Sequence, residues 1–103
     1  MRFIHSKDYT AARAWGAQHI AAIQNATVRL HWTDQPYAWH VNDGVEVFVV
    51  LDGVVDMHYR ADGVEHIVTL EAGDLFLADE GEQHSAHPRG EARILVVERE
   101  GSV

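Results

Sequence analysis

Trp39-His40-Val41-Asn42-Asp43-Gly44-Val45-Glu46 changes character twice within a few residues. A strand-like approach ends in Asn-Asp-Gly, which is turn chemistry, and a second extended run begins at Val45. A hairpin centred on Asp43 sets His40 directly opposite Glu46, with Cβ atoms roughly 4.5–5.5 Å apart. An imidazole and a carboxylate at that separation can share one cation. Asn42 has the parity of His40 and faces the same interior, offering an amide oxygen as a weak, hard ligand.

Working outward, Gly44, Gly53, Gly63, Gly73, Gly81 and Gly90 recur at intervals of eight to ten residues, four of them beside an aspartate. Turn signals at that spacing indicate a many-stranded sandwich or barrel. The runs between them, Val45–Leu51, Val54–Tyr59, Ile67–Leu70, Leu75–Leu77 and Ile94–Val97, are rich in β-branched and aromatic residues and have strand length. Val55, Met57 and Tyr59 alternate with Asp56, His58 and Arg60, so His58 points outward. Glu46–Leu51 and Arg93–Val97 are apolar on both parities; one face fills the interior and the other asks for cover, which predicts a homodimer. Upstream, the alanine-rich Asp8–Trp15 reads as a short helix opened by Ser6 or Asp8 and ended by Gly16. Ala17–Ile23 either continues that helix or forms a hairpin with Ala26–Trp32 through Gln24 and Asn25, the hairpin being preferred. Pro36 marks a loop before the histidine region.

The chain has 103 residues, enough for one domain (residues 1–103) and one site. It is 47% hydrophobic and 23% charged, as globular proteins are. A net charge of -8, with Lys7 the single lysine, opposes contact with phosphate backbones, so no nucleic acid is expected. The absence of cysteine excludes disulfides and thiolate metal sites and leaves nitrogen and oxygen ligands. No apolar run approaches a membrane span and the first ten residues lack a signal-peptide core, so the expected compartment is the cytoplasm, with no membrane partner.

A second stretch, Gly73 to His87, ends in Gly81-Glu82-Gln83-His84-Ser85-Ala86-His87. His84 and Ala86 share one face and His87 takes the other unless Pro88 disturbs the strand, so His84 alone of these histidines suits an interior site. Strand physics by itself does not bring His84 to His40. Both stretches, however, resemble the two motifs of the cupin superfamily. In G-x5-H-x-H-x3-4-E-x6-G, over 34–53, the first His, the Glu and the closing Gly fall on His40, Glu46 and Gly53. In G-x5-P-x-G-x2-H-x3-N, over 73–88, Gly73, Gly81 and His84 match. Asp34, Asn42, Asp79 and Pro88 stand where the motifs have Gly, the second His, Pro and Asn. The resemblance implies an all-β, cupin-type jelly-roll barrel, to which the reading above adds the short N-terminal helical segment.

The same resemblance implies a metal site of His40, Asn42, Glu46 and His84, with Asn42 in place of one imidazole. Two histidines and one carboxylate suit a divalent transition metal, Fe, Mn, Zn or Ni. The expected function is then metal binding, with oxygenase- or isomerase-like chemistry on a small organic substrate. The alternative is a non-catalytic small-ligand binder whose metal site is degenerate, and catalysis stays open between them. His5, His19, His58 and His66 read as structural, while the facing of His31 and His87 is open. Trp32, Tyr37, Trp39 and Phe48 are candidates for a pocket wall or for plain core, with Phe48 beside Glu46. Asp79, Glu80 and Glu82 read as a solvated turn.

Overall fold

The computed structural model describes residues 1–102. Nine strands are present among them: β1 (Gly16–Ile23), β2 (Ala26–Thr33), β3 (His40–Val41), β4 (Glu46–Asp52), β5 (Val55–Ala61), β6 (Val64–Leu70), β7 (Leu75–Ala78), β8 (Gln83–Pro88) and β9 (Ala92–Arg99). They form two antiparallel sheets, ordered β1-β2-β9-β4-β7 and β3-β8-β5-β6. Phe48, Val50, Ile94 and Val96 from the first sheet meet Val55, Met57, Leu70 and Ala86 from the second to make the core. The all-β cupin architecture read from the sequence is the one observed. No helix among the described residues is long and apolar enough to cross a membrane.

The turns form where backbone chemistry allows. Asp62 and Gly63 take φ of 53° and 75°, the pair of positive angles that a two-residue hairpin between β5 and β6 requires. Gln24, with φ of 56°, turns β1 into β2, so Ala17–Ile23 is a hairpin arm as preferred. At Gly53 φ is 87° and a Cβ would run into the Glu91 carbonyl and press on Ala92, so the β4–β5 turn admits only glycine.

The helical segment is smaller and earlier than expected. It is a single 3-10 turn at Ser6–Asp8, and Asp8–Trp15 is otherwise irregular. Tertiary contacts hold the segment instead: Arg93 donates to the Tyr9 carbonyl, the His31 ring to the Trp15 carbonyl, and Trp15 Nε1 to the Gln35 carbonyl. Alanine's helix propensity, a few tenths of a kcal/mol per residue, is outweighed by these tertiary bonds.

The hairpin centred on Asp43 does not form. β3 pairs with β8, setting His40 opposite His84 and Val41 opposite Gln83, whereas β4 pairs with β7 and β9, setting Glu46 opposite Ala78 and Glu98. Residues 42–45 instead carry the chain from one sheet to the other. The Asn42 amide donates to the Glu82 carbonyl and its carbonyl accepts from Gly81, so the β7–β8 loop satisfies the backbone that a hairpin would have paired. His40 and Glu46 still converge, because they project from opposite sheets into one interior.

Candidate functional site

Each member of the site is placed by strand parity. On β4, Glu46, Phe48 and Val50 point inward; on β8, His84 and Ala86 do so; and β3 lays His40 beside His84 with ring centroids 4.2 Å apart. His40, Glu46 and His84 each offer a ligand atom, and these atoms lie within 4.8 Å of one another. His40 Nδ1 lies 3.2 Å from the Ala38 carbonyl. A carbonyl only accepts, so Nδ1 carries the proton and Nε2 keeps its lone pair for a ligand.

His84 is held differently. Its Nε2 sits 2.7 Å from Asn42 Oδ1 and 3.4 Å from Glu46 Oε1. Asn42 Nδ2 donates to the Gly44 and Ala78 carbonyls, which fixes the amide with its oxygen toward the imidazole. Asn42 thus accepts the Nε2–H of His84 and has no donor left over for a ligand. A cation at Nε2 requires that proton to move to Nδ1, which frees Asn42 Oδ1 to face the cation as well.

Burial sets the charge state. Glu46 is 8% exposed, and desolvation, followed by the hydrogen bond and charge of neighbouring Glu98 and the charge of Asp43, pushes its carboxyl up to about 8. His84 is 3% exposed; burial, reinforced by His40 and partly opposed by Glu82, lowers it to about 4. Near neutral pH they meet as a carboxylic acid and a neutral imidazole, not as an ion pair. Glu46 Oε1 is buried without a hydrogen-bond partner among the described residues. An unsatisfied buried oxygen costs free energy, and a cation among the three ligand atoms would complete it. The donor set therefore fits a divalent metal of the two-histidine, one-carboxylate kind.

His40, Glu46 and His84 line a cavity of about 220 Å³. Trp15, Tyr37 and Phe48 give it apolar walls, Glu98 flanks Glu46, and Arg29, His31 and Ser102 also line it. Aromatic edges run along one wall, with centroid separations of 5.3 Å for Trp15–Tyr37 and 5.1 Å for Tyr37–His40. Burial holds the His31 ring below its ordinary value, the bond to Trp15 partly offsetting it.

Phe48 stands beside Glu46 as expected, and His31, whose facing was open, lines the pocket. His87 points away and lies against His58, rings 4.0 Å apart, on the outer face of the second sheet. His66 stacks on Tyr59, Trp39 underlies the Arg60 guanidinium at 4.1 Å, and Trp32 donates to Glu91. Asp79, Glu80 and Glu82 form an exposed turn closed by a bond from the Asp79 amide to the Glu82 carboxylate. Trp15, Arg29, Glu98 and Ser102 line the pocket without having been singled out from the sequence. For Arg29 a signal existed, since on β2 Thr27, Arg29, His31 and Thr33 alternate with Val28, Leu30 and Trp32. The inward parity is the polar one because it faces a cavity and not the core.

A two-sheet jelly roll with paired histidines and a glutamate converging on an inner cavity defines a small cupin domain. More narrowly, the chain belongs to the AraC-like ligand-binding domain family, whose model matches residues 25–102. No curated protein matches it. Among solved structures it is similar to a cupin-2 domain containing protein from Shewanella frigidimarina, at 24% identity over 86% of this chain and 84% of that one, with a TM-score of 0.77. It is also similar to hydroquinone 1,2-dioxygenase from Sphingomonas sp. TTNP3, solved with 4-hydroxybenzoate bound, at 18% identity over 86% of this chain but 28% of that one, with a TM-score of 0.77. A further hydroquinone 1,2-dioxygenase, in complex with Fe3+, matches at 19% identity over 87% of this chain and 29% of that one, with a TM-score of 0.73. At these identities the likeness is one of fold.

Proposed function

We propose that this is a metal-binding cupin domain in which His40, Glu46 and His84 hold one divalent transition metal, Asn42 lies beside it as a weak fourth oxygen, and the adjoining cavity takes a small organic molecule. The carrying observation is the convergence of three ligand atoms within 4.8 Å, one presented by an imidazole whose other nitrogen is tied to a backbone carbonyl. When bound, such an ion supplies Lewis-acid or oxygen-binding chemistry. The chain's own residues do the rest. Ala38 orients His40, Glu46 releases its proton to become a ligand, and Trp15, Tyr37 and Phe48 limit water around the pocket. The hydroquinone dioxygenases of like fold, one holding Fe3+, support an iron-type reading of the site.

Metal analysis of protein purified without a histidine tag tests this. Titration with Fe(II), Mn(II), Zn(II) and Ni(II) is expected to show one ion per chain for at least one metal, with a proton released near neutral pH. Affinity is expected to fall at least about 100-fold in His84→Ala. Protein that stays metal-free across all four ions rules the proposal out.

A second reading is favoured by the Asn42–His84 bond, which occupies the nitrogen a metal needs, and by membership of a ligand-binding family. In it the pocket holds a small molecule directly and performs no chemistry. Ligand binding that is unchanged by chelation and by His84→Ala would favour that reading.

A homodimer through the outer face of the five-stranded sheet is proposed with either. Val47, Val49, Leu95 and Val97 share that face, and next to them Leu75 and Leu77 on the edge strand are 64% and 60% exposed. Light scattering is expected to give twice the 11.6 kDa chain mass, and Leu75→Glu to return it to one.

A further inference from the structure

The pocket also holds a side chain that metal binding does not use. Arg29 projects from β2 into the cavity, and among the described residues no carboxylate lies within ion-pair distance of it. His31 and Ser102 line the cavity with it. Arg29 pairs across to Val96, and Val96 to Phe48, so the guanidinium starts from the same cross-strand row as the phenyl wall. That row runs next to the one holding Glu98 and Glu46. β2 and β4 are separated by β9, which puts roughly 10 Å between their backbones. Once the side chains reach inward, the interval suits a small, flat ligand, and the edges of Trp15 and Tyr37 stand along it.

A guanidinium is the group that grips a planar carboxylate with two parallel bonds.

We propose that the pocket selects a small aromatic carboxylate, its carboxylate seated on Arg29 and its ring carried along the Trp15–Tyr37 wall toward His40, Glu46 and His84. This rests on the metal reading for the far end of the ligand, while Arg29 and the aromatic wall are independent of it. Because a dication brings positive charge to the cavity, ligand and metal bind with positive coupling, each raising the affinity of the other by the same factor.

Benzoate and its neutral isostere benzamide test the assignment by calorimetry on wild type, Arg29→Gln and Arg29→Lys, each with and without saturating Zn(II). Wild type loaded with zinc is expected to favour benzoate over benzamide by at least about ten-fold, a preference that weakens without zinc. Arg29→Gln is expected to erase the preference while leaving benzamide affinity within about two-fold, and Arg29→Lys to retain part of it. Zinc affinity of Arg29→Gln, measured alone, is expected to match wild type, which shows the variant folded and separates the two claims. If zinc fails to bind anywhere but the Arg29-dependent preference for benzoate persists, the carboxylate assignment stands and the metal reading falls. A preference for benzoate that survives in Arg29→Gln, equal affinity for the two probes, or no binding of either overturns the proposal.

Discussion

Glu46→Gln isolates what the buried carboxyl does to the fold. The carboxyl is raised from 4.5 to about 8 in the folded protein, so between those values the folded chain holds a proton that the unfolded chain has released. Its contribution to stability is therefore complete below about pH 4.5 and is lost as pH rises through 8. His84, lowered from 6.5 to about 4, acts in the opposite sense: its cost is largest in acid and disappears as pH rises to 6.5. The two oppose each other below pH 6.5, and above it Glu46 alone of this pair titrates differently in the two states. From pH 6.5 to 8 the loss is about 1.5 pH units at about 1.4 kcal/mol each, or about 2 kcal/mol. Glutamine copies the shape of the protonated acid and cannot ionise. In the presence of a chelator, the variant is expected to gain about 2 kcal/mol on wild type across that interval, read from urea unfolding at half-unit pH steps. Parallel wild-type and variant curves would refute the burial argument. Zinc binding by the variant is expected to be lost, since an amide oxygen is a far poorer ligand than a carboxylate.

The remaining expectations concern the frame around the site. Gly53→Ala brings a Cβ against the Glu91 carbonyl at a φ of 87°, which should cost about 2–4 kcal/mol and lower the melting temperature by 10 °C or more on the order of magnitude. Asn42→Ala leaves the His84 Nε2–H and the Gly44 carbonyl without partners and should cost about 1–3 kcal/mol in denaturant unfolding. Met57→Ala opens a cavity at a fully buried position between the sheets, and a loss of about 3 kcal/mol is expected from the same assay.

How much of this was legible depended on whether a signal was local or not. Turn glycines, alternation on β5 and the motif spacing around His40, Glu46 and His84 are local, and they led to the observed strands and to three side chains that the fold brings together. The partner of β3 is not local. Asn42-Asp43-Gly44 has hairpin chemistry, and only the bonds from Asn42 to Glu82 and Gly81, across the β7–β8 loop, divert it into a crossover. The Asp8–Trp15 segment failed as a helix for a related reason, because the partners of Tyr9 and Trp15 lie on distant strands. On β2 the usual rule that apolar parity faces inward is inverted. Leu30 is on the outer face and is only 1% exposed, on the side of the sheet where Arg93 ties down the N-terminal segment. The alternation put Arg29 and His31 on one face of β2, but that this face is the inward one follows only once the outer face is known to be covered at Leu30.

The crossover at residues 42–45 has a mechanical meaning. His40 and His84 belong to one sheet and Glu46 to the other, so the three ligand atoms close only when the two layers sit at their native separation. An ion held among them acts as a rivet through the sandwich, and its release would let the layers breathe apart at the end where β3 is only two residues long. Amide exchange in β3 and β8 then becomes a gauge of occupancy, slow when the layers are pinned and fast when they are free.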